Sequence, residues 1–239
     1  MQENKKMQAI IYFLTNKYKG NWELIYQAIQ KREIINLYDL NNQKWIDSDY
    51  ISIIDENYPD NFKKIYMPPL SLFIWGNKNL LNMKKIISIW GEYNFESLNQ
   101  FLKGNKNDIA YALKFESKNI NLYQELNKAG YDLILIDDDK ATSTKIDLLK
   151  QLDNYCYLTE FPYFVDEIDR DIQQNFERLL LGVSNMSLLI NPSKNQFQKC
   201  NIIHHFEKRK LFVWATNNNY ISHQNNVKLI DNFEQIIIN

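Results

Sequence analysis

The stretch from Tyr50 to Gly91, YISIIDENYPDNFKKIYMPPLSLFIWGNKNLLNMKKIISIWG, constrains the fold more than any other part of the chain. Tyr58-Pro59 and Pro68-Pro69 cannot lie inside regular elements, because proline has no backbone N–H and restricts the residue before it. Leu70–Trp75 is a short apolar run that reads as one strand, and Gly76-Asn77 closes it. Lys85–Trp90 is a second apolar run, and it stops at Gly91, where a strand can turn into a helix. Further strands are predicted at Ile109–Lys114, Tyr131–Ile136, Tyr155–Thr159, Ser187–Ile190 and Leu211–Ala215. Helices are predicted near 95–103, 119–129, 142–153, 172–183 and 195–208. Strand and helix alternate, which predicts an α/β fold with a mostly parallel, helix-covered, Rossmann-like sheet.

Upstream of the prolines the period changes. Met7, Ile10, Ile11 and Leu14 fall at helical spacing, and Trp22, Ile25, Ala28 and Ile29 repeat it after the Gly20-Asn21 break. Residues 1–48 are therefore expected to form a small helical module, and 49–239 the Rossmann-like domain. A hydrophobic content of 45% supplies a packed core. The chain is rich in Asn, Ile and Lys and poor in Gly and Arg, as an AT-rich genome would dictate. A net charge of −1 gives no global attraction to nucleic acid, so any such contact needs a local patch. The apolar run Ala9–Leu14 is too short for a signal peptide, and no segment approaches the ~20 apolar residues of a membrane span. Two distant cysteines, Cys156 and Cys200, suit free thiols in a reducing cytoplasm, so a cytoplasmic protein with no membrane contact is expected.

The order of parts resembles the DprA/Smf family. It runs from a Tyr-Pro lead-in through a Pro-Pro linker, a strand ending in Gly-Asn and a Leu-Leu pair to a first Rossmann-type strand. Tyr58, Pro59, Pro68, Pro69, Leu72, Gly76, Asn77, Leu80 and Leu81 stand where that family's pattern wants them. Thr159-Glu160-Phe161-Pro162 looks like the family's Ser-Glu-Tyr-Pro. Phe176–Ser184, FERLLLGVS, looks like its Arg-Asn-Arg-Ile-Ile-Ala-Gly-Leu-Ser helix. The resemblance covers nearly the whole chain. It implies a non-enzymatic DNA-processing protein that binds single-stranded DNA, works as a homodimer and delivers the strand to the RecA recombinase during recombination and natural transformation. It implies no catalytic residue, no cofactor and no metal. A short helical region precedes the main domain in that family too.

The same resemblance singles out the phosphate-binding sheet edge, where helix N-termini and strand ends meet anions. The family's first turn carries Gly, then Ser or Thr, then Arg; here it is Gly91-Glu92-Tyr93. The carboxylate of Glu92 would repel a phosphate. The family's second loop, Ser-Gly-x-Ala-x-Gly-Ile-Asp, falls near Ala110–Ile120, where this chain has no glycine but offers Lys114 and Lys118 as charges. In the third element Arg178 persists, and Phe176 replaces its companion arginine. Phe176 either stacks on a base or forms the buried face of its helix. The expected DNA-binding set is thus Gly91, Lys114, Lys118, Lys140, Phe176 and Arg178. Leu179, Leu180, Leu181 and Val183 offer more apolar surface than one helix face buries, which fits a dimer.

Other features support less. Asp137-Asp138-Asp139 after the Leu133–Ile136 run has the look of a phosphatase Asp-x-Asp nucleophile, but the later lysine and Gly-Asp signature is not evident; a solvated strand end is expected. Cys200 and His204 have the spacing of half a metal site, and no second pair completes it. His204, His205 and His223 lack a nucleophile and an orienting acid. Lys208-Arg209-Lys210 reads as a complement to a helix dipole. Two alternatives to the DNA-binding reading stand: a nucleotide-binding enzyme such as a nucleotide phosphoribohydrolase, with Glu160 its lone acid, or a degenerate scaffold that binds no ligand.

Overall fold

A computed structural model describes residues 2–44, 48–103, 108–163, 176–184, 186–207, 209–214 and 227–237. Among the described residues nine strands form one sheet in the order β1-β2-β6-β5-β4-β3-β7-β8-β9. They are β1 (Asp49–Ser52), β2 (Ser71–Gly76), β3 (Lys85–Gly91), β4 (Ile109–Lys114), β5 (Asp132–Ile136), β6 (Tyr155–Thr159), β7 (Met186–Ile190), β8 (Lys210–Trp214) and β9 (Val227–Leu229). From β6 to β9 every pairing is parallel, and β2 joins β6 antiparallel with β1 outside it. The expected Rossmann-like sheet is present. The short edge pieces β1 and β9 were not legible as separate strands, because a three- or four-residue edge buries too little to imprint a period.

The parallel strands read as unbroken apolar runs because both faces are covered. Successive residues still separate by face, as the two-residue pleat requires. Ile87, Ile89, Tyr111, Leu113, Leu133, Leu135 and Tyr157 share one core. Into it pack α5 (Phe95–Leu102), α6 (Ile120–Lys128) and α7 (Ser143–Leu149). Ile86, Ala110, Ala112, Ile134, Ile136, Cys156 and Leu158 face the other core, with Leu179 and Leu180 from the helix Phe176–Gly182 and Val183 just after it. Leu181 belongs to a third cluster, with Phe197 and Cys200 of the helix Lys194–Glu207 and with Leu189, Leu211 and Val213.

Every apolar side chain of the Leu179–Val183 helix end is therefore buried within the chain. The helix is apolar all round because it is sandwiched, so its composition is no argument for a second copy. Gly182 is needed for that packing, since a Cβ there would lie 2.7 Å from Ile65 Cδ1 and 3.2 Å from Phe62 Cδ1. Those two residues anchor α4 (Asp60–Lys63) and the loop after it. Arg209 ties the same corner: its guanidinium donates to the carbonyls of Leu181, Ser184 (2.7 Å) and Asn61 (3.3 Å). It complements the dipole of the helix ending at Gly182, not of its own. Lys208 lies outside the described residues.

The expected helical module precedes the sheet as α1 (Gln2–Lys17), α2 (Trp22–Gln30) and α3 (Leu37–Asn41). Ile11, Leu14, Ile25 and Ala28 close around Leu70, at the entry to β2. Thr15 and Ser71 hydroxyls meet at 2.7 Å, and Trp22 Nε1 donates to the Pro68 carbonyl at 2.6 Å. Asn21 and Asn36 cap α2 and α3 through their side-chain oxygens, and the Asn94/Ser97 box caps α5.

Candidate nucleic-acid interface

Because β3 to β8 are parallel, their carboxyl ends share one edge of the sheet. Strand order reverses between β3 and β7, whose ends are Gly91 and Ile190. Ligands of open parallel sheets sit beyond such a reversal, outside the strand ends. Gly91 has a structural reason to be glycine: its φ is +116°, and a Cβ would overlap the Ile190 carbonyl oxygen. The Glu92 N–H donates to that same carbonyl at 2.9 Å, while the Glu92 side chain stands exposed beside the reversal. At this place the residues present a negative charge.

The loop after β4 closes on itself. The Phe115 N–H donates to Ile136 O at 2.7 Å and the Glu116 N–H to the Tyr123 hydroxyl at 3.0 Å. That hydroxyl donates in turn to Lys114 O at 2.7 Å. These backbone donors are occupied internally, so the loop does not cradle a phosphate through them. Lys114 Nζ pairs with Asp138 at 2.6 Å and Lys118 Nζ with Glu116 at 3.1 Å. The Lys118 side chain is 77% exposed and can exchange its carboxylate for a phosphate at little cost.

The loop after β5 is pinned by Lys145. Its ammonium donates to Asp137 Oδ2 (2.8 Å), Asp139 Oδ2 (3.1 Å) and Lys140 O (2.9 Å), so all three protons are used. Tyr157 donates to Asp137 Oδ2 at 2.6 Å. Burial pushes the Asp137 carboxyl above its ordinary value, against the pull of Lys145. Asp138 and Asp139 are partly exposed, as a solvated strand end requires, but Asp137 is buried and fully engaged, an organiser of the loop and not an open nucleophile. Lys140 is half-buried on that loop.

At the end of β6, Glu160 meets Arg178. Both carboxylate oxygens accept from Arg178 Nη2, at 2.7 and 2.6 Å, and the two side chains are 11% and 6% exposed for Arg178 and Glu160. Arg178 Nε and Nη1 are buried with no hydrogen-bond partner among the described residues. Sequence reasoning placed Arg178 and Glu160 in separate hypotheses, one for DNA and one for an enzyme; the fold joins them. The side chain of Phe176 and the whole of His223 lie outside the described residues, as does the side chain of His205. His204 is fully buried, lowered to about 4 by burial, and neither ring nitrogen makes a well-formed hydrogen bond among the described residues. Among the described residues no group of His, Cys, Asp or Glu side chains could hold a metal, and no helix is long and apolar enough to cross a membrane.

Across this edge Glu92, Glu116, Asp137, Asp138, Asp139 and Glu160 face Lys114, Lys118, Lys140, Lys145 and Arg178. The structure brings Gly91, Lys114, Lys118 and Lys140 to the loops of one sheet edge and puts Arg178 behind them in an internal ion pair. The missed residue is Lys145, whose only sequence signal was its position six to eight residues after the acidic run.

Fold and edge together define a doubly wound, Rossmann-like α/β protein with an antiparallel β1–β2 extension and an N-terminal helical region. That is the fold of DprA. The chain is similar to the X-ray structure of DNA processing protein A (DprA) from Streptococcus pneumoniae with a TM-score of 0.68 at 16% identity, over 90% of this chain and 81% of that one. It is also similar to DNA processing protein A from Helicobacter pylori, the subject of work on its single-stranded DNA binding mode. There the TM-score is 0.59 at 15% identity, over 80% of this chain and 95% of that one. No protein-family model and no curated protein matches the chain at the level of sequence.

Proposed function

We propose that the protein is a non-enzymatic, cytoplasmic, single-stranded-DNA-binding mediator of the DprA kind, working along the carboxyl edge of its sheet. The observation that carries this reading is the fold shared over 90% of the chain with a DNA processing protein. Lys114, Lys118 and Lys140 neutralise phosphates, and the Gly91 turn lets backbone approach the switch point. Phe176 stacks on a base. Arg178 acts by holding Glu160, which keeps that carboxylate from repelling the strand. By resemblance the protein is a homodimer that delivers single strands to RecA, and it divides at residue 48 into a helical module and a DNA-processing domain. A titration of the full chain with oligo-dT across a salt series tests the binding, and light scattering at tens of micromolar tests the dimer. A population that stays monomeric refutes the latter.

One observation favours a second reading, a scaffold that keeps the fold without the ligand. Lys114, Lys118, Lys145 and Arg178 at the edge already pair with carboxylates, and Glu92 adds an exposed negative charge. Absence of oligo-dT binding at low salt selects it. Binding of mononucleotides in preference to oligo-dT selects the enzyme alternative.

A further inference from the structure

Six of the fourteen described tyrosines are buried, whereas Tyr66 is 81% exposed. It is not on a loose loop. Phe62 and Ile65, just before it, are 0% and 5% exposed and pack against Gly182. Met67, just after it, holds a left-handed φ of +54°, and Pro68-Pro69 follow. The Pro68 carbonyl accepts from Trp22 Nε1, and the Pro69 carbonyl accepts from the buried Tyr58 hydroxyl at 2.7 Å. The ring is therefore presented to water from a segment fixed on both sides. Such a surface gives contact area without a large ordering cost on binding.

Its neighbours are cationic. Lys63 and Lys64 are exposed, and the carboxylate nearby, Asp60, pairs with Lys63 at 2.9 Å in an exposed bridge that contributes little. Tyr38, 72% exposed, is the useful contrast, because the residue beside it, Asp39, is acidic. The loop also lies at the right place. β2 runs antiparallel to β6 with Phe73 opposite Thr159, so Ser71 and the prolines before it project past the carboxyl end of β6. Tyr66 is two residues, at most about 7 Å of chain, from Pro68. At ~4.8 Å per strand, the start of β2 is about 14 Å across the edge from the end of β4.

We propose that Tyr66 is a base-stacking platform for single-stranded nucleic acid at the β2 flank of this edge, with Lys63 and Lys64 contacting the adjoining phosphates. The inference rests on the single-strand reading above and extends the track beyond the Gly91–Lys140 loops. Stacking is tolerant of base identity, whereas the lysines supply the salt dependence.

The test compares oligo-dT titrations of the full chain as wild type, Tyr66→Ala, Tyr66→Phe, Lys64→Ala and Tyr38→Ala, each checked for an unchanged melting transition. Tyr66→Ala is expected to weaken binding by about 5- to 150-fold with the salt slope unchanged. Tyr66→Phe restores affinity, Lys64→Ala flattens the slope by ~0.7, and Tyr38→Ala changes nothing. Wild-type binding with an equally tight Tyr66→Ala overturns this inference alone. A wild type that does not bind overturns it together with the reading beneath it.

Discussion

Replacing Arg178 with alanine decides whether its guanidinium serves the fold or a ligand. In the structure Nη2 reaches both oxygens of Glu160 at 2.7 and 2.6 Å, and the two side chains are 11% and 6% exposed. Deleting one partner of such a pair leaves an uncompensated buried charge, at a cost of about 3–5 kcal/mol. For a chain of this size each kcal/mol lowers Tm by ~2–4 °C, so the expected fall is roughly 6–20 °C. Arg178→Met combined with Glu160→Leu removes both charges and is expected to recover most of that loss, because the double variant buries no lone ion. The assay is thermal and urea denaturation monitored by two independent probes. At temperatures where Arg178→Ala stays folded, its oligo-dT salt slope is expected to match the wild type. An unchanged Tm in Arg178→Ala, or a slope flattened by ~0.7, refutes the reasoning and assigns the guanidinium to a phosphate.

Further outcomes follow from other parts of the molecule. Lys145→Met strands the buried Asp137 carboxylate and is expected to cost about 3–5 kcal/mol in urea unfolding, with Lys145→Met/Asp137→Leu partly restored. Gly91→Ala forces a side chain into a left-handed turn against the Ile190 carbonyl, and is expected to destabilise by about 2 kcal/mol or more in the same assay. His204 has a folded pKa of about 4, below its ordinary 6.5, so the unfolded chain binds the extra proton between those values. Its contribution is complete above pH ~6.5 and is lost as pH falls through about 4, amounting to about 3 kcal/mol. His204→Leu is expected to flatten that acid limb of the stability curve, and an unchanged limb refutes the assignment.

The fold was legible because its signals are local and repeated. The prolines at 59, 68 and 69 fixed the entry to β2, and six apolar runs bounded by turn residues matched β3 to β8 within a residue or two. The β1 and β9 edges left no such trace. The site was less legible, since it depends on which charges meet across 6 to 24 positions of chain. Nothing in the spacing of Glu160 and Arg178 says that one neutralises the other; only the crossover that lays the helix Phe176–Gly182 beside the end of β6 does so. Lys145 was overlooked for the same reason. Its role depends on α7 starting one turn earlier, where Thr142 caps the helix and aims the lysine back at Asp137. The Leu179–Val183 run was over-read as surface because a helix sandwiched between two layers is apolar all round, as an interface helix is.

In the proposed function the carboxyl edge of this sheet binds single-stranded DNA through a few lysines. The direct measurement is the affinity of the full chain for oligo-dT, duplex and mononucleotides between low and physiological salt. Lys114, Lys118 and Lys140, each neutralising a phosphate, are expected to contribute about −2 to the slope of log K against log salt, and oligo-dT is expected to bind in preference to duplex and mononucleotide. Lys114→Ala/Lys118→Ala is expected to flatten the slope by ~1.4. Undetectable oligo-dT binding at low salt, or a slope that the lysine substitutions leave untouched, contradicts the account.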